Sequence, residues 1–169
     1  TAGGNRVLTW SPIEHERIGS SVLLASMVTH PNPYLPGHVK HGSRAGWALA
    51  ARKLGVDEVV FVDPKGRILE ANRSNVFAVV DGTLCTPPLG DNLQGVTRGA
   101  MLEAAATAGI DVCEDPLPLD TDFQELYVSS TLKELAPVAV LDGRPVGGGP
   151  VGELLHAAFR AIVSAECPG

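Results

Sequence analysis

Lys40 stands in Gly37-His-Val-Lys-His-Gly-Ser-Arg44, between a proline-rich stretch and the first segment with helical spacing. A lysine attacks an aldehyde only as the neutral amine, a form that burial or a neighbouring cation favours, and Arg44 could be that cation. By spacing alone, such a lysine reads as a solvated surface charge. Glu70 interrupts an otherwise apolar strand in Leu69-Glu-Ala-Asn-Arg-Ser-Asn75, as an outward carboxylate or a partner for Arg67 or Arg73. Gly95-Val-Thr-Arg98 follows a loop rich in Pro and Gly and opens a helix, whose free amides and positive dipole end suit an anion. A plain capped surface helix begins the same way. Ser129-Ser-Thr131 places three hydroxyls at a strand end, where they can donate to an anionic oxygen or cap the next turn. His38 and His41 flank Lys40, but no third ligand accompanies them, so no metal is expected. A GxSxG nucleophile elbow is missing.

The elements that must position these residues follow from periodicity and punctuation. Ser43 is a plausible N-cap for a helix carrying Trp47, Leu49, Ala50 and Leu54, with Gly55 as its stop. Residues 56–62 form a β-branched strand and Asp63-Pro-Lys-Gly66 a turn; residues 67–71 pair back, and 75–80 continue as another strand. Asp81-Gly82 is a strong hairpin signal, so this part reads as an antiparallel sheet. Thr97 is expected to cap a helix over 98–108 that Gly109 stops. Strands follow at 110–113, 125–129 and 137–141, the last turning at Asp142-Gly143, and Pro150 opens a final helix. Residues 20–27 read as a strand or a short helix within a proline-limited connection spanning 11–36. Strands and helices that mix without strict alternation predict an α+β or mixed α/β fold.

Composition bounds the function. At 169 residues the chain is long enough for one compact domain with a real core. Lys and Arg number 13 against 19 Asp and Glu, giving a net charge of −6 without charged blocks, which argues against nucleic acid. No apolar run approaches the roughly 18 to 20 residues of a membrane helix. Cys85, Cys113 and Cys167 are far apart, odd in number and without ligand spacing; they read as reduced thiols in a cytosolic protein.

Taken in order, four segments resemble the class IV aminotransferases, the fold type IV pyridoxal-phosphate enzymes that include branched-chain and D-amino-acid aminotransferases and aminodeoxychorismate lyase. They are Val39-Lys-His-Gly-Ser-Arg44; Asp57-Glu58 through Gly66-Arg-Ile-Leu-Glu-Ala-Asn-Arg-Ser-Asn-Val-Phe77; Asp81-Gly-Thr-Leu-Cys-Thr-Pro87 with Leu93-Gln-Gly-Val-Thr-Arg98; and Tyr127-Val-Ser-Ser-Thr131 with Ala136-Pro-Val138. The order and spacing hold from about residue 38 to about residue 160. A linked series is far more specific than any one motif.

The resemblance implies pyridoxal 5'-phosphate as cofactor and the C-terminal, cofactor-binding domain of the D-amino-acid-aminotransferase-like fold. It implies that Lys40 carries the cofactor as a Schiff base and then shuttles a proton, and that Glu70 pairs with the pyridine nitrogen. Gly95, Val96 and Thr97 at the helix start, with Thr131 and Ser130, match the phosphate cradle. Leu93 matches the residue that packs on the ring, and Arg44 falls near the cofactor hydroxyl. The implied partners are an amino acid and a 2-oxo acid, in a cytoplasmic homodimer with neither nucleic acid nor membrane. Residues 1–36 would be a remnant of an N-terminal domain and the connection, and 37–169 the cofactor domain. Most of that N-terminal domain is expected to be missing, which would leave the chain inactive alone. Within the family the alternative is a lyase that eliminates pyruvate. From another class it is a non-catalytic domain that binds some other anion at the Thr97 helix start.

Overall fold

The computed structural model describes residues 18–28, 36–42 and 45–166. A ten-stranded mixed sheet is its backbone. The elements are β1 (Val22–Val28), α1 (Ala45–Leu54), β2 (Glu58–Val62), β3 (Arg67–Ala71), β4 (Asn75–Val80), β5 (Thr83–Cys85), α2 (Val96–Ala108), β6 (Val112–Cys113), β7 (Leu117–Pro118), β8 (Glu125–Ser130), β9 (Glu134–Leu141), β10 (Arg144–Pro145) and α3 (Pro150–Glu166). Along the sheet the strands run β6-β5-β4-β8-β9-β1-β2-β3-β7, and β10 pairs with β9.

Alternation along the strands sorts the core into layers. Val76 and Ala78 of β4 join Val60, Ile68, Leu126, Val128, Ala136 and Val138 on one face of the sheet. Phe77 and Val79, one residue out of step, pack with Met101, Ala104 and Ala105 of α2 and Leu155 and Phe159 of α3. On β2, Val59 and Phe61 instead meet Ala51 of α1. The strand is buried at all five positions, as expected for one covered on both sides. No helix among the described residues is long and apolar enough to cross a membrane.

Within residues 56–86 the pairs are antiparallel as the sequence suggested, β2 with β3 and β4 with β5, while the sheet as a whole is mixed. Val22–Val28, read as strand or short helix, is a strand lying parallel to both β2 and β9. β5 and β6 are also parallel, with Cys85 opposite Cys113. These two cysteines, 28 residues apart, form a disulfide, which corrects their reading as reduced thiols; Cys167 lies outside the described residues. Both expected hairpin turns are present. Asp81 and Gly82 have φ of 49° and 78°, and Asp142 and Gly143 have 50° and 78°, the left-handed pair that a tight two-residue hairpin demands.

The helices depart from the sequence reading in two places. On α1, Leu49 and Leu54 are 50% and 55% exposed, while the small Ala51 makes the buried contact. Trp47 and Ala50 do pack beneath the helix as the spacing suggested, the Trp47 ring 4.9 Å from that of Phe61 on β2. α2 begins two residues earlier than expected, with Gly95 as its N-cap and no side-chain capping bond, so Thr97 lies inside the first turn. Its other end is as predicted: Gly109 is left-handed at φ 69° and donates to Ala105 and Ala106 oxygens.

α3 is held by a carboxylate from the sheet. Buried Glu125 accepts from the backbone N–H groups of Val151 (3.0 Å) and Gly152 (2.8 Å) at the helix start and from the Tyr127 hydroxyl (2.6 Å). The same hydroxyl accepts from the Gly149 N–H at 2.7 Å. Burial first, then the Glu125 carboxylate, pushes the Tyr127 phenol well above its ordinary value. Gly152 packs flat against that ring, and a Cβ there would overlap it.

Two outcomes are expected. Gly152→Ala should cost about 1–3 kcal/mol in denaturant unfolding, the usual cost of overpacking a full site; an unchanged midpoint would show that the ring yields freely. The folded value of Tyr127 lies above the unfolded one. Its neutral form therefore stabilises fully below about pH 10, and the contribution is lost as pH rises further. Stability measured from neutral to strongly alkaline pH should fall less steeply for Tyr127→Phe than for the parent; superimposable slopes would refute the coupling.

Candidate active site

Five separate segments converge on one cavity of about 200 Å³. Lys40 comes from the loop before α1, Glu70 and Ala71 from the end of β3, and Arg73, Ser74 and Asn75 from the β3–β4 turn and the start of β4. Leu93 to Thr97 come from the loop and first turn of α2, and Ser129, Ser130 and Thr131 from the end of β8. Residues 40, 70, 93, 95, 96, 97, 130 and 131, singled out in the sequence, are thus brought together from positions up to 91 apart. Lys40 is exposed at the mouth, and Glu70 is half-buried. Arg44 lies outside the described residues.

The floor is built by side chains that bind the main chain. The Glu70 carboxylate accepts from the Leu93 N–H at 3.0 Å, and the Asn75 amide donates to the Leu93 oxygen at 2.8 Å. Leu93 is therefore fixed at both of its peptide groups, half-buried, with its side chain on the cavity wall. The buried Asn92 amide donates to the Leu69 oxygen at 3.3 Å and lays the loop along β3.

One end of the cavity is rich in unmet donors. The first amides of α2 have no capping side chain, and the helix dipole places partial positive charge there. Gly95 allows this: a Cβ at that position would overlap the Asn75 amide oxygen. Ser129 is 1% exposed, lines the cavity, and its hydroxyl has no hydrogen-bond partner among the described residues. A buried hydroxyl without a partner is costly, so its presence beside an uncapped helix start describes a cradle for an anion. No group of His, Cys, Asp and Glu among the described residues could hold a metal ion.

Sequence reasoning missed the part played by Ser129, Asn75 and Arg73. Ser129 was visible only as one hydroxyl of three, because strand register decides which of them is buried. Asn75 carried a signal: a polar amide opening an apolar strand, which β-propensity disfavours. Arg73 is exposed, and its guanidinium donates to the Asp57 oxygen at 3.0 Å while lining the cavity.

Comparison with known proteins agrees with this geometry. The family model described as Amino-transferase class IV matches residues 5–141. The chain is 32% identical over 155 residues to a branched-chain-amino-acid aminotransferase of Escherichia coli, covering 83% of this chain and 50% of that one. It is 33% identical over 117 residues to the Pseudomonas aeruginosa enzyme of the same name, covering 66% of this chain and 38% of that one. Among solved structures, a hypothetical aminotransferase from Mycobacterium tuberculosis in its PLP-bound form superposes with a TM-score of 0.82 at 27% identity, over 93% of this chain and 61% of that one. The chain thus spans half or less of the length of these two curated relatives. The fold is that of the class IV aminotransferases.

The orphaned hydroxyl yields a sharp expectation. Ser129→Ala loses no protein partner, so unfolding free energy can rise by about 1–3 kcal/mol, the cost of the unmet hydroxyl, and should fall by no more than about 0.5 kcal/mol. The rise in melting temperature caused by inorganic phosphate should shrink. A variant destabilised by more than that, with the phosphate effect intact, would give Ser129 a purely structural role.

Proposed function

This chain belongs to the amino-transferase class IV family, and we propose that it forms the cofactor-gripping part of a pyridoxal-phosphate aminotransferase in which Lys40 carries the cofactor. The observation that bears most weight is the meeting of one amine, one carboxylate and one anion cradle around a single cavity, each from a different stretch of chain.

The residues present fit the group. An aldehyde needs an amine, which Lys40 offers at the mouth. A protonated ring nitrogen needs a carboxylate, and Glu70 is anchored through the Leu93 N–H. A phosphoryl group needs several donors without competing protein acceptors, a need that the buried Ser129 hydroxyl and the uncapped start of α2 meet. An aromatic ring needs an apolar surface, and Leu93 provides one.

When bound, the cofactor supplies a sink for the electrons left on an amino acid's α-carbon after a proton is removed. The chain's own side chains supply the rest. Glu70 holds a proton at the ring nitrogen and so keeps the sink deep. Val96, Thr97, Ser129, Ser130 and Thr131 fix the phosphate and with it the tilt of the ring. Leu93 limits the ring's movement along its face. Lys40 would take the proton from the amino acid's α-carbon and hold it for return, and passing the amino group on to a 2-oxo acid would further need water, which releases the oxo acid left by the first amino acid.

The chain loaded with pyridoxal phosphate and then treated with borohydride should retain the cofactor on the peptide containing Lys40, and Lys40→Ala should retain none. Mass-spectrometric mapping of the modification to Lys53, Lys65 or Lys133 would sink the assignment. A folded chain that stays colourless with added cofactor would favour a non-catalytic anion-binding domain.

A further inference from the structure

Glu58 is completely buried at the head of β2, and it does not line the cavity. Three donors converge on its carboxylate: the Arg73 N–H at 3.0 Å, the Ser74 hydroxyl at 2.8 Å and the Lys133 ammonium at 2.5 Å. Arg73 and Ser74 belong to one wall of the cavity. Lys133 belongs to the β8–β9 turn, where its own N–H donates to the Ser130 oxygen at 3.2 Å and lies 3.3 Å from the Ser130 hydroxyl. Ser130 also lines the cavity; it follows Ser129, which pairs with Asn75 at the last rung of the β4–β8 ladder. The Lys133 side chain is only 17% exposed, so solvent screens the pair little.

We propose that Glu58 and Lys133 are positioning residues that clamp the Ser129–Thr131 wall against the Arg73–Asn75 wall and so hold the phosphate end of the cavity closed. Taking a carboxylate and an ammonium out of water costs much of what their attraction returns, and a well-packed apolar pair would often serve stability as well. What the ion pair supplies instead is a tie beyond the last rung of the β4–β8 ladder, Asn75 with Ser129: each partner also binds a backbone segment whose neighbours line the cavity. Between Ser130 and Lys133 the turn is exposed at Thr131 and Leu132, Leu132 at 60%. Glu70 is held instead by the Leu93 N–H, so the clamp acts on the other end of the cavity.

The proposal rests on the cofactor reading above, and the test separates the two. The double variant Glu58→Gln/Lys133→Met removes both charges without leaving either buried alone. Its affinity for pyridoxal phosphate should fall roughly tenfold or more, the scale of one lost hydrogen-bonding arrangement. Its affinity for pyridoxal, which lacks the phosphate, should stay within about twofold, since the pyridoxal complex does not use the clamped wall. Both are read by absorbance titration alongside near-ultraviolet circular dichroism. Should the double variant not fold, Lys133→Ala takes its place, because the space it vacates admits water to Glu58; Lys133→Arg should then restore most of the affinity. An unchanged ratio of the two affinities, or an equal loss of both, overturns the clamp. If the folded parent chain binds neither compound, the cofactor reading fails, and the clamp fails with it.

Discussion

Three residues, Asn72 to Ser74, join β3 to β4, and the turn is tight: the Ala71 N–H donates to the Ser74 oxygen at 2.8 Å. Yet β3 and β4 are not hydrogen-bonded neighbours, for β8, β9, β1 and β2 lie between them along the sheet. Strands so far apart in the ladder and so close in the chain can coexist only if the sheet curls until they meet. The ladder is interrupted where they meet, and the cavity lies there. Glu70 ends one side of that seam and Asn75 begins the other, and both reach across to the same residue, Leu93. The α2 loop is thus laid into the seam by the two strands that create it.

The seam also explains why α2 starts without a cap. A serine or aspartate at the N-cap would satisfy the helix and stabilise it by about 0.5–2 kcal/mol. At position 95 any side chain would collide with Asn75, whose amide is already committed to Leu93. Stability of the helix is given up for close packing of the loop, and the free amides face the cavity as a result. Ser129 repeats the pattern, with a buried donor left unmet where a structural role would have paired it. Two such departures at one place mark a binding site more firmly than either alone.

Much of this architecture is legible in the chain itself. Asp81-Gly82, Asp142-Gly143 and Gly109 announce their turns because left-handed backbone is cheap for so few residue types. Strands β2, β3, β4, β8 and β9 show through runs of β-branched and apolar residues. β7 and β10 have two residues each, too short for any period to register. The parallel pairing of β1 was hidden too, since long-range register leaves no local trace. The disulfide escaped for the same reason: Cys85 and Cys113 become neighbours only once β5 and β6 pair. In the cavity, the amine, the carboxylate and the helix start carried recognisable surroundings. Glu58 stood with Asp57 in one of the resembling segments, but its pairing with Lys133 was hidden, because a buried ion pair 75 residues apart looks in sequence like two surface charges.

Charge on this chain must be weighed locally. The net value of −6 makes the molecule acidic and argues against polyanions, which sample the field of a whole face. A small anion samples only what lies within about a Debye length, roughly 8 Å at physiological salt. Around the cavity the lining charges are Lys40 and Arg73 against Glu70, and the positive end of α2 adds to the first two. Glu70 contributes little repulsion at the phosphate end, since it accepts from Leu93 on the floor while the cradle lies at Val96, Thr97 and Ser129. An acidic protein thereby presents one pocket suited to a ligand carrying a phosphate at one end and a protonated ring nitrogen at the other.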